Sequence, residues 1–328
     1  MGQSNGDSGL TLTVLGCGTM GIAILSGIMD SLSDIRSSVP ASASPSGTST
    51  PAEELPQRLP SRFFACVRRH ESAKRIKVEL SKHASSLTIL EGDNLRGVRE
   101  ADVVLLGCKP QMVGDILGND DIREALKGKL LVSILAGVPV EQIENILYGD
   151  SSFEDPSQNG RCRIVRAMPN TASKVRESMT VIATSTPPLS APQSSLVTWM
   201  FTRIGRVVHL PPSAMDASTA LCGSGPAFMA LILEAVADGA VAMGLPRAEA
   251  QLMAAQTMRG TTGLVLGGEH PAILRDKVST PGGCTIGGLL VLEEGTVRGT
   301  MARAVREATV VASQLGKGVQ GVNGTRFR

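Results

Sequence analysis

Residues 10–29, LTLTVLGCGTMGIAILSGIM, decide the fold of this chain. The first six residues are apolar or β-branched and predict a buried strand, and residues 22–29 predict an apolar helix. Between them, a G-x-G-x-x-G pattern supplies a glycine for a tight turn, one for approach of a pyrophosphate and one for close helix–strand packing. This order predicts a dinucleotide site at Gly16, Cys17, Gly18, Thr19, Met20 and Gly21. The alternative is a glycine turn with a structural role only.

The second predicted strand, residues 62–67, ends at two arginines. In sites selective for NAD, an acidic residue ends this strand and hydrogen-bonds the ribose diol. Here Arg68 and Arg69 take that place, and two guanidinium groups suit a 2′-phosphate through charge-assisted hydrogen bonds. The pair therefore favours NADPH, with NADH as an option. The alternative is a solvated basic helix start, which the helix dipole disfavours.

Predicted strands alternate with helices through the first two thirds of the chain. Further strands are expected at residues 87–90, 102–106, 130–134, 163–167, 179–183 and 206–210. The alternation is typical of an α/β fold with a doubly wound, Rossmann-type sheet, which we assign to residues 8–211. Because ligands bind at the carboxyl ends of such strands, Cys108, Lys109 and Pro110 are candidates for the ribose and nicotinamide side. Asn170 also follows a strand, although a lone Asn is more often a turn former.

Two polar stretches interrupt the alternation. Residues 36–61 are rich in Ser, Ala, Pro and Thr, and residues 149–160 are rich in Ser, Asp and Gly. Such stretches lack the apolar side chains that would order them. We expect both to be surface insertions, and the first to have no catalytic role.

From residue 212 to residue 317 the pattern is helical. Helices are expected at residues 215–245, with a break near residues 222–226, at residues 247–266, after Pro271 and at residues 286–315. Small residues recur along them, so backbones can approach closely, and a small helical domain with this much apolar surface usually buries it against a second copy. We expect a helical dimerisation domain in a homodimer or larger homo-oligomer, and a disordered tail at residues 318–328.

A second loop lies within residues 276–290, DKVSTPGGCTIGGLL. Pro281 lacks an N–H and two glycines follow it, so a tight loop precedes the helix that starts near Cys284. A loop of this kind presents hydroxyls and free N–H groups at the positive end of a helix dipole, where carboxylates and phosphates bind. The candidate anion-binding residues are Ser279, Thr280, Gly282, Gly283, Cys284 and Thr285. The alternative is a polar cap on a buried helix.

The composition restricts the class of partner. Aromatic residues make up only 2% of the chain and the formal net charge is +2 without a basic stripe, so we expect no nucleic-acid partner. The six cysteines form no CxxC pair, which indicates reduced thiols, neither a disulfide framework nor a metal site. The N-terminus lacks the layout of a secretion signal, and the most apolar helix carries Glu234 and Asp238. We expect a cytoplasmic protein without a membrane partner.

A nucleotide site joined to a helical domain with an anion-binding loop suggests a reductase of a small acidic substrate. Two stretches make this specific: residues 216–245, DASTALCGSGPAFMALILEAVADGAVAMGL, and residues 270–293, HPAILRDKVSTPGGCTIGGLLVLE. They closely resemble the C-terminal signature of the pyrroline-5-carboxylate reductase family. The opening GCGTMG, the strand end VLLGCKP and the turn MPNT extend the resemblance over nearly the whole chain. The two polar insertions depart from the family pattern.

The resemblance implies reduction of the C=N bond of 1-pyrroline-5-carboxylate to L-proline, the last step of proline synthesis, in an interlocked dimer. It implies a hydrogen bond between Thr285 and the ring nitrogen, and Glu269 matches a family position near that nitrogen. The carboxylate would be held by Ser279, Gly282, Gly283 and Cys284. A protonated cyclic imine already accepts hydride well, so orientation and charge placement matter more than a strong acid. For Glu269 the alternative is a plain surface glutamate.

Two other functions compete with this interpretation. A hydroxyacid dehydrogenase of the 6-phosphogluconate type also joins such a glycine loop to helices, but it uses a helical lysine as acid and base. The corresponding stretch here, GSGPAFMALILEAVADGA, has no lysine. A non-catalytic NADP-binding regulator is the second alternative, and its expected mark would be an eroded substrate loop.

Overall fold

The computed structural model describes residues 9–37, 55–149, 160–316 and 325. Within these residues one sheet of eight strands runs in the order β3-β2-β1-β4-β5-β6-β7-β8. The strands are β1 (Leu10–Leu15), β2 (Pro60–Val67), β3 (Leu87–Glu91), β4 (Val103–Leu106), β5 (Leu130–Ser133), β6 (Arg163–Met168), β7 (Ser178–Ala183) and β8 (Gly205–Leu210). Strands β1 to β6 pair in parallel, whereas β7 is antiparallel to β6 and parallel to β8. The sheet expected from the sequence is confirmed, with the last two strands, β7 and β8, running opposite to the other six.

Helices cover both faces of the sheet. One face packs against α1 (Thr19–Ser37), α2 (His70–Glu79) and α7 (Ala191–Thr202). The other packs against α3 (Asn94–Glu100), α4 (Val113–Leu117), α5 (Asp120–Leu126) and α6 (Val140–Tyr148). Because both faces are covered, successive strand residues such as Val14 and Leu15 are fully buried on opposite sides. This is the doubly wound arrangement that the sequence predicts.

The rest of the chain is helical. It contains α8 (Met215–Ser218), α9 (Gly225–Ala242), α10 (Arg247–Leu266), α11 (Pro271–Lys277), α12 (Cys284–Glu294) and α13 (Val297–Gly316). The break expected near residues 222–226 is a π-helical turn, Thr219–Ser224, between α8 and α9. The single helix expected at residues 286–315 is wrong. Gly295 ends α12 and Thr296 takes a left-handed φ of +52°, so two helices form instead of one.

The predicted insertions differ from the structure at their edges. Helix α1 continues to Ser37 and β2 begins at Pro60. The first predicted insertion, residues 36–61, is therefore about two residues too long at each end. Residues 38–54 and 150–159 lie outside the described residues. Most of the predicted tail does too, apart from Thr325, whose N–H and hydroxyl donate to the Glu307 carboxylate.

The helical half buries little of its own apolar surface. Among its larger side chains, Leu231, Met243 and Leu252 are 64%, 86% and 71% exposed, and α12 has no buried residue. The segment Pro212–Ala242 is long and apolar enough to cross a membrane by length and composition alone. A contact between copies of the chain accounts for the same exposed surface.

We expect a Gly205→Ala substitution to destabilise the sheet. Gly205 starts β8 with a φ of +148°, and an added Cβ would lie 2.0 Å from the Ser178 carbonyl oxygen. The strain and the clash should lower the free energy of unfolding by about 2–4 kcal/mol. Chemical denaturation measures this. Gly114→Ala is the control, because that helical site has no atom within 4 Å of the added Cβ and should change stability by about 1 kcal/mol or less. Equal stability of the two variants would contradict the placement of β8.

Candidate active site

The glycine loop has the geometry that a bound pyrophosphate requires. Gly16 has a φ of +76°, and a Cβ there would lie 2.6 Å from the Cys108 Cα at the end of β4. Gly18 has no atom within 4 Å of such a Cβ, so its backbone is open. A Cβ on Gly21 would lie 3.0 Å from Val14 Cγ1, which shows how closely α1 approaches β1. Gly16 therefore allows the tight turn, Gly18 leaves its backbone open to a ligand, and Gly21 lets α1 pack closely against β1.

Hydrogen bonds hold this loop against its neighbours. The N–H groups of Gly16 and Cys17 both donate to the Cys66 carbonyl at 3.1 Å. Arg75 on α2 donates to the Thr19 hydroxyl at 3.1 Å, and the Ser173 hydroxyl donates to Met20 Sδ at 3.4 Å. The loop is thus fixed before any ligand binds, which limits the ordering cost of binding.

The predicted nucleotide residues meet in a cleft of about 620 Å³ at the carboxyl ends of β1, β2 and β4. Those that line it are Gly16, Cys17, Gly18, Arg68, Arg69, Cys108 and Lys109. The first turn of α1 contains Thr19, Met20 and Gly21, whereas Pro110 and Asn170 are outside the lining. Which of these residues contact a cofactor stays a prediction.

The two arginines line the cleft just after the end of β2. Arg68 and Arg69 are exposed, and neither guanidinium has a partner among the described residues. The neighbouring His70 is paired instead with Glu91, at 3.0 Å. Free guanidinium groups at the end of β2 match the 2′-phosphate of NADPH.

The cysteines of the cleft are neutral. Burial raises the pKa of Cys17 to about 12 and that of Cys108 to about 11, so both remain thiols near neutral pH. Within the described ranges no group of three or more His, Cys, Asp or Glu side chains is placed to hold a metal ion. Cys108 and Lys109 can therefore offer a nucleotide their backbone groups and the Lys109 ammonium group, but no thiolate.

Asn170 connects the two halves of the chain. Its Oδ1 accepts from the Ala172 N–H at 3.1 Å, and its Nδ2 donates to the Cys222 carbonyl at 3.0 Å. Cys222 lies in the π-helical turn, whose wide geometry is frequent at functional sites. The side chain thus fixes this turn against the end of β6, and its role toward a cofactor remains a prediction.

The loop between α11 and α12 forms the tight turn expected from the sequence. Gly282 has a φ of +70°, and the Gly283 N–H donates to the Thr280 carbonyl at 3.0 Å. The Ser279 hydroxyl donates to the Arg275 carbonyl at 2.8 Å, which leaves its lone pairs free to accept. Cys284 and Thr285 are the first residues of α12, an 11-residue helix with no side-chain cap at its N-terminus. Free N–H groups at this end can bind a carboxylate.

Glu269 lies near this loop but is engaged elsewhere. Its carboxylate accepts from Lys277 at 2.9 Å, and its side chain is 32% exposed. The ion pair joins the two ends of α11, because Glu269 precedes the helix and Lys277 is its last residue. In this arrangement the carboxylate lies near the loop, and whether it faces a substrate stays a prediction.

One chain does not bring the two predicted parts together. None of residues 279–285 lines the nucleotide cleft, and the helices that carry this loop are largely exposed. A substrate held by the loop therefore needs a second chain, or a large rearrangement, to reach a nicotinamide.

The structure adds cleft residues that sequence reasoning missed. Ser72 on α2, Asn94 at the start of α3 and Gln111 after β4 all line the cleft. Each follows the carboxyl end of a parallel strand, and this position is the signal that was available. Arg75 was also missed, because its contact with Thr19 joins residues 56 positions apart in the chain.

Comparisons with known proteins agree on one family. Residues 212–315 match the family described as pyrroline-5-carboxylate reductase dimerisation, and residues 11–137 match that described as NADP oxidoreductase, coenzyme F420-dependent. The pyrroline-5-carboxylate reductase of Lophium arboricola is 67% identical over 98% of both chains. That of Neurospora crassa is 55% identical over 99% of this chain and 98% of its own. A solved structure of the Coxiella burnetii reductase has a TM-score of 0.73 at 27% identity, covering 94% of this chain and 99% of that one.

Removing the arginine pair should weaken the binding of NADPH more than the binding of NADH. An Arg68→Ala, Arg69→Ala variant loses the charge-assisted bonds to the 2′-phosphate, and we expect its NADPH Kd to rise about 10-fold or more. The NADH Kd should change by less than about 3-fold, because NADH has no such phosphate. Fluorescence titration measures both. Lys74→Ala is the control, because Lys74 is an exposed charge on α2, the helix that follows the two arginines, and lies outside the cleft lining. Equal weakening of both nucleotides would contradict the assigned role.

Cys284 should be the first cysteine to react with N-ethylmaleimide. It is the exposed one of the six, and burial raises the pKa of Cys17, Cys66, Cys108 and Cys162 to about 11 or 12. Peptide mass spectrometry identifies the modified residue, and a Cys284→Ser variant should resist labelling at early times. Early labelling of another cysteine would mean that small molecules cannot reach the start of α12, which contradicts its assignment to substrate binding.

Proposed function

The chain belongs to the pyrroline-5-carboxylate reductase family, and we propose that it transfers a hydride from NADPH to the C=N bond of 1-pyrroline-5-carboxylate, giving L-proline. It is an NAD(P)H-dependent oxidoreductase and a homo-oligomer. The observation that carries the proposal is the pairing of a ready-made nucleotide cleft with an uncapped helix N-terminus, in a chain aligned with such reductases over nearly its full length.

The carboxylate of the substrate fits the start of α12. An anion there receives N–H donors from the first turn and lies at the positive end of the helix dipole. Gly283 keeps the approach narrow: a Cβ at that position would lie 2.4 Å from the Thr280 hydroxyl oxygen. We assign Ser279, Thr280, Gly282, Gly283 and Cys284 to carboxylate binding, mainly through backbone groups.

Thr285 and Glu269 act on the ring nitrogen in this proposal. The Thr285 hydroxyl oxygen orients the C=N bond by accepting a hydrogen bond from the protonated nitrogen. The Glu269 carboxylate, paired with Lys277, stabilises the positive charge of the protonated imine. NADPH, when bound in the cleft, would supply the hydride for the imine carbon, so that the iminium would become a secondary amine. The catalytic need is orientation and charge placement, since the proton is already on the nitrogen.

The cleft residues hold the cofactor in this proposal. The loop from Gly16 to Gly21 binds the pyrophosphate, and Arg68 with Arg69 binds the 2′-phosphate. Cys108, Lys109, Pro110 and Asn170 serve the ribose and nicotinamide side. The open backbone at Gly18 and the unpaired guanidinium groups support these roles.

The same reasoning divides the chain and its assembly. We place the nucleotide domain at residues 8–211 and the substrate-binding and dimerisation domain at residues 212–317. The last strand ends at Leu210, and the match to the dimerisation family begins at residue 212. In the oligomer the α12 loop of one subunit completes the cleft of another. The enzyme acts in the cytoplasm, a location supported by the six unpaired cysteines.

A hydroxyacid dehydrogenase is less well supported. Such an enzyme needs a lysine on the helix that faces the nicotinamide, and α9 has none. A non-catalytic NADP-binding protein does not need the turn at Gly282 or the uncapped start of α12.

The decisive assay follows oxidation of NADPH by its absorbance after addition of 1-pyrroline-5-carboxylate. We expect rapid oxidation, faster with NADPH than with NADH, and formation of L-proline in equal amount. No oxidation by a protein that still binds NADPH would contradict the proposed function.

Loss of the Thr285 hydroxyl should lower kcat. We expect Thr285→Ala to reduce kcat by about 10-fold or more, since one oriented hydrogen bond contributes ~1–3 kcal/mol, while the NADPH Kd stays unchanged. Thr285→Ser keeps the hydroxyl and should retain most of the activity. Steady-state kinetics with both variants measure the difference. An unchanged kcat in Thr285→Ala would remove this residue from the mechanism.

A further inference from the structure

A second cavity, of about 520 Å³, lies between the sheet and the helical half of the chain. Its walls come from β6, the start of α6, the end of β7, α8 and the last turn of α13. It shares no lining residue with the nucleotide cleft. The assigned chemistry makes no use of this space.

Arg166 on β6 points into this cavity without a partner. The residue is only 7% exposed, and its Nε and one terminal nitrogen are buried with no hydrogen-bond acceptor in the described part of the chain. Its strand neighbours Val165 and Ala167 belong to the core on the opposite face of the sheet. A guanidinium that is removed from water and left unpaired is strongly unfavourable, because its solvation is lost and not replaced.

Acidic groups surround the cavity without pairing with Arg166. Glu141, Glu144 and Asp216 line it. Burial lowers the pKa of the Arg166 guanidinium, while the charges of Asp216 and Glu141 raise it, so these carboxylates lie near but beyond hydrogen-bond reach. Burial and the charge of Glu141 raise the pKa of Glu144. Gly316, the last residue of α13, adds the negative end of a 20-residue helix to the lining.

The lining therefore suits a ligand that carries one negative and one positive group. A simple anion would satisfy Arg166 but would face three carboxylates. A simple cation would satisfy the carboxylates but leave the buried guanidinium unpaired. An α-amino acid zwitterion has a carboxylate for Arg166 and an ammonium group for the carboxylates of Glu141, Glu144 and Asp216. The hydroxyl-bearing residues Thr184, Ser185 and Thr186 favour a small, polar side chain.

We propose that this cavity is a binding site for a small zwitterionic α-amino acid, with Arg166 holding its carboxylate and Asp216 and Glu141 holding its ammonium group. Such a ligand would join β6 to α8 and so fix the helical half against the sheet. The site is separate from the proposed catalytic one, and its test requires no turnover.

The test is a thermal-shift and calorimetric titration of the full-length protein with L-serine, without nucleotide. We expect L-serine at millimolar concentration to raise the Tm by roughly 2–4 °C, with one molecule bound per chain. Acetate and methylammonium, which each present only one of the two charges, should not raise the Tm. No shift with L-serine, or an equal shift with acetate, would overturn the proposal.

Variants at Arg166 separate binding from structure. Arg166→Met should abolish the L-serine shift while leaving the Tm of the ligand-free protein equal or higher, because an unpaired buried charge is replaced by an apolar side chain. Arg206→Met removes an exposed arginine of β8 and should keep the shift. A markedly lower Tm in folded Arg166→Met would mean that Arg166 has a structural partner in the assembled protein, which contradicts the proposal.

Asp216→Asn provides a second route if Arg166→Met does not fold. This change keeps the shape of the side chain and removes one charge that faces the ammonium group. We expect the affinity for L-serine to fall about 5-fold or more. An unchanged affinity would overturn the proposal that Asp216 binds the ammonium group of the ligand.

Discussion

The helical half of the chain cannot bury its apolar surface within one chain, and the rest of the structure depends on this constraint. Its helices pack in pairs without a shared core, as the exposed faces of Leu231 and Leu252 show. Apolar surface of this extent is stable in water only when another protein surface covers it. The same helices carry the loop at residues 279–285, to which we assign substrate binding, so a contact that covers these helices also positions this loop. In this proposal, stability and activity both depend on the assembly of subunits.

Much of the fold was predictable because local signals and packing agree. The strand, glycine loop and helix at the start of the chain are encoded within 20 neighbouring residues, and the sheet order follows from the rules for parallel α/β folds. The reversal of β7 and β8 was not predictable, since the composition of a short strand does not indicate the direction in which it runs. The left-handed backbone at Thr296 was also missed, because a Thr rarely adopts it and only the surrounding helices require it.

The candidate site was predictable where one motif contains all its parts, and not where distant residues meet. The glycine loop and the turn at Gly282 have local causes and appear in the structure as expected. The contact of Asn170 with Cys222 and the isolation of Arg166 arise only when the helical half docks on the sheet. A sequence pattern does not show how close two residues lie when they are far apart in the chain, so these features could be found only from the structure.

A mixing experiment tests most directly whether two chains share one catalytic site. One protein carries Arg68→Ala and Arg69→Ala, and the other carries Thr285→Ala. At low NADPH concentration we expect each to retain about a tenth or less of the activity. If the α12 loop of one chain serves the cleft of its partner, a mixed dimer has one site with both parts intact, and activity rises after subunit exchange. No rise above the sum of the separate activities, with exchange verified by mass, would mean that each chain uses its own loop and would contradict the account.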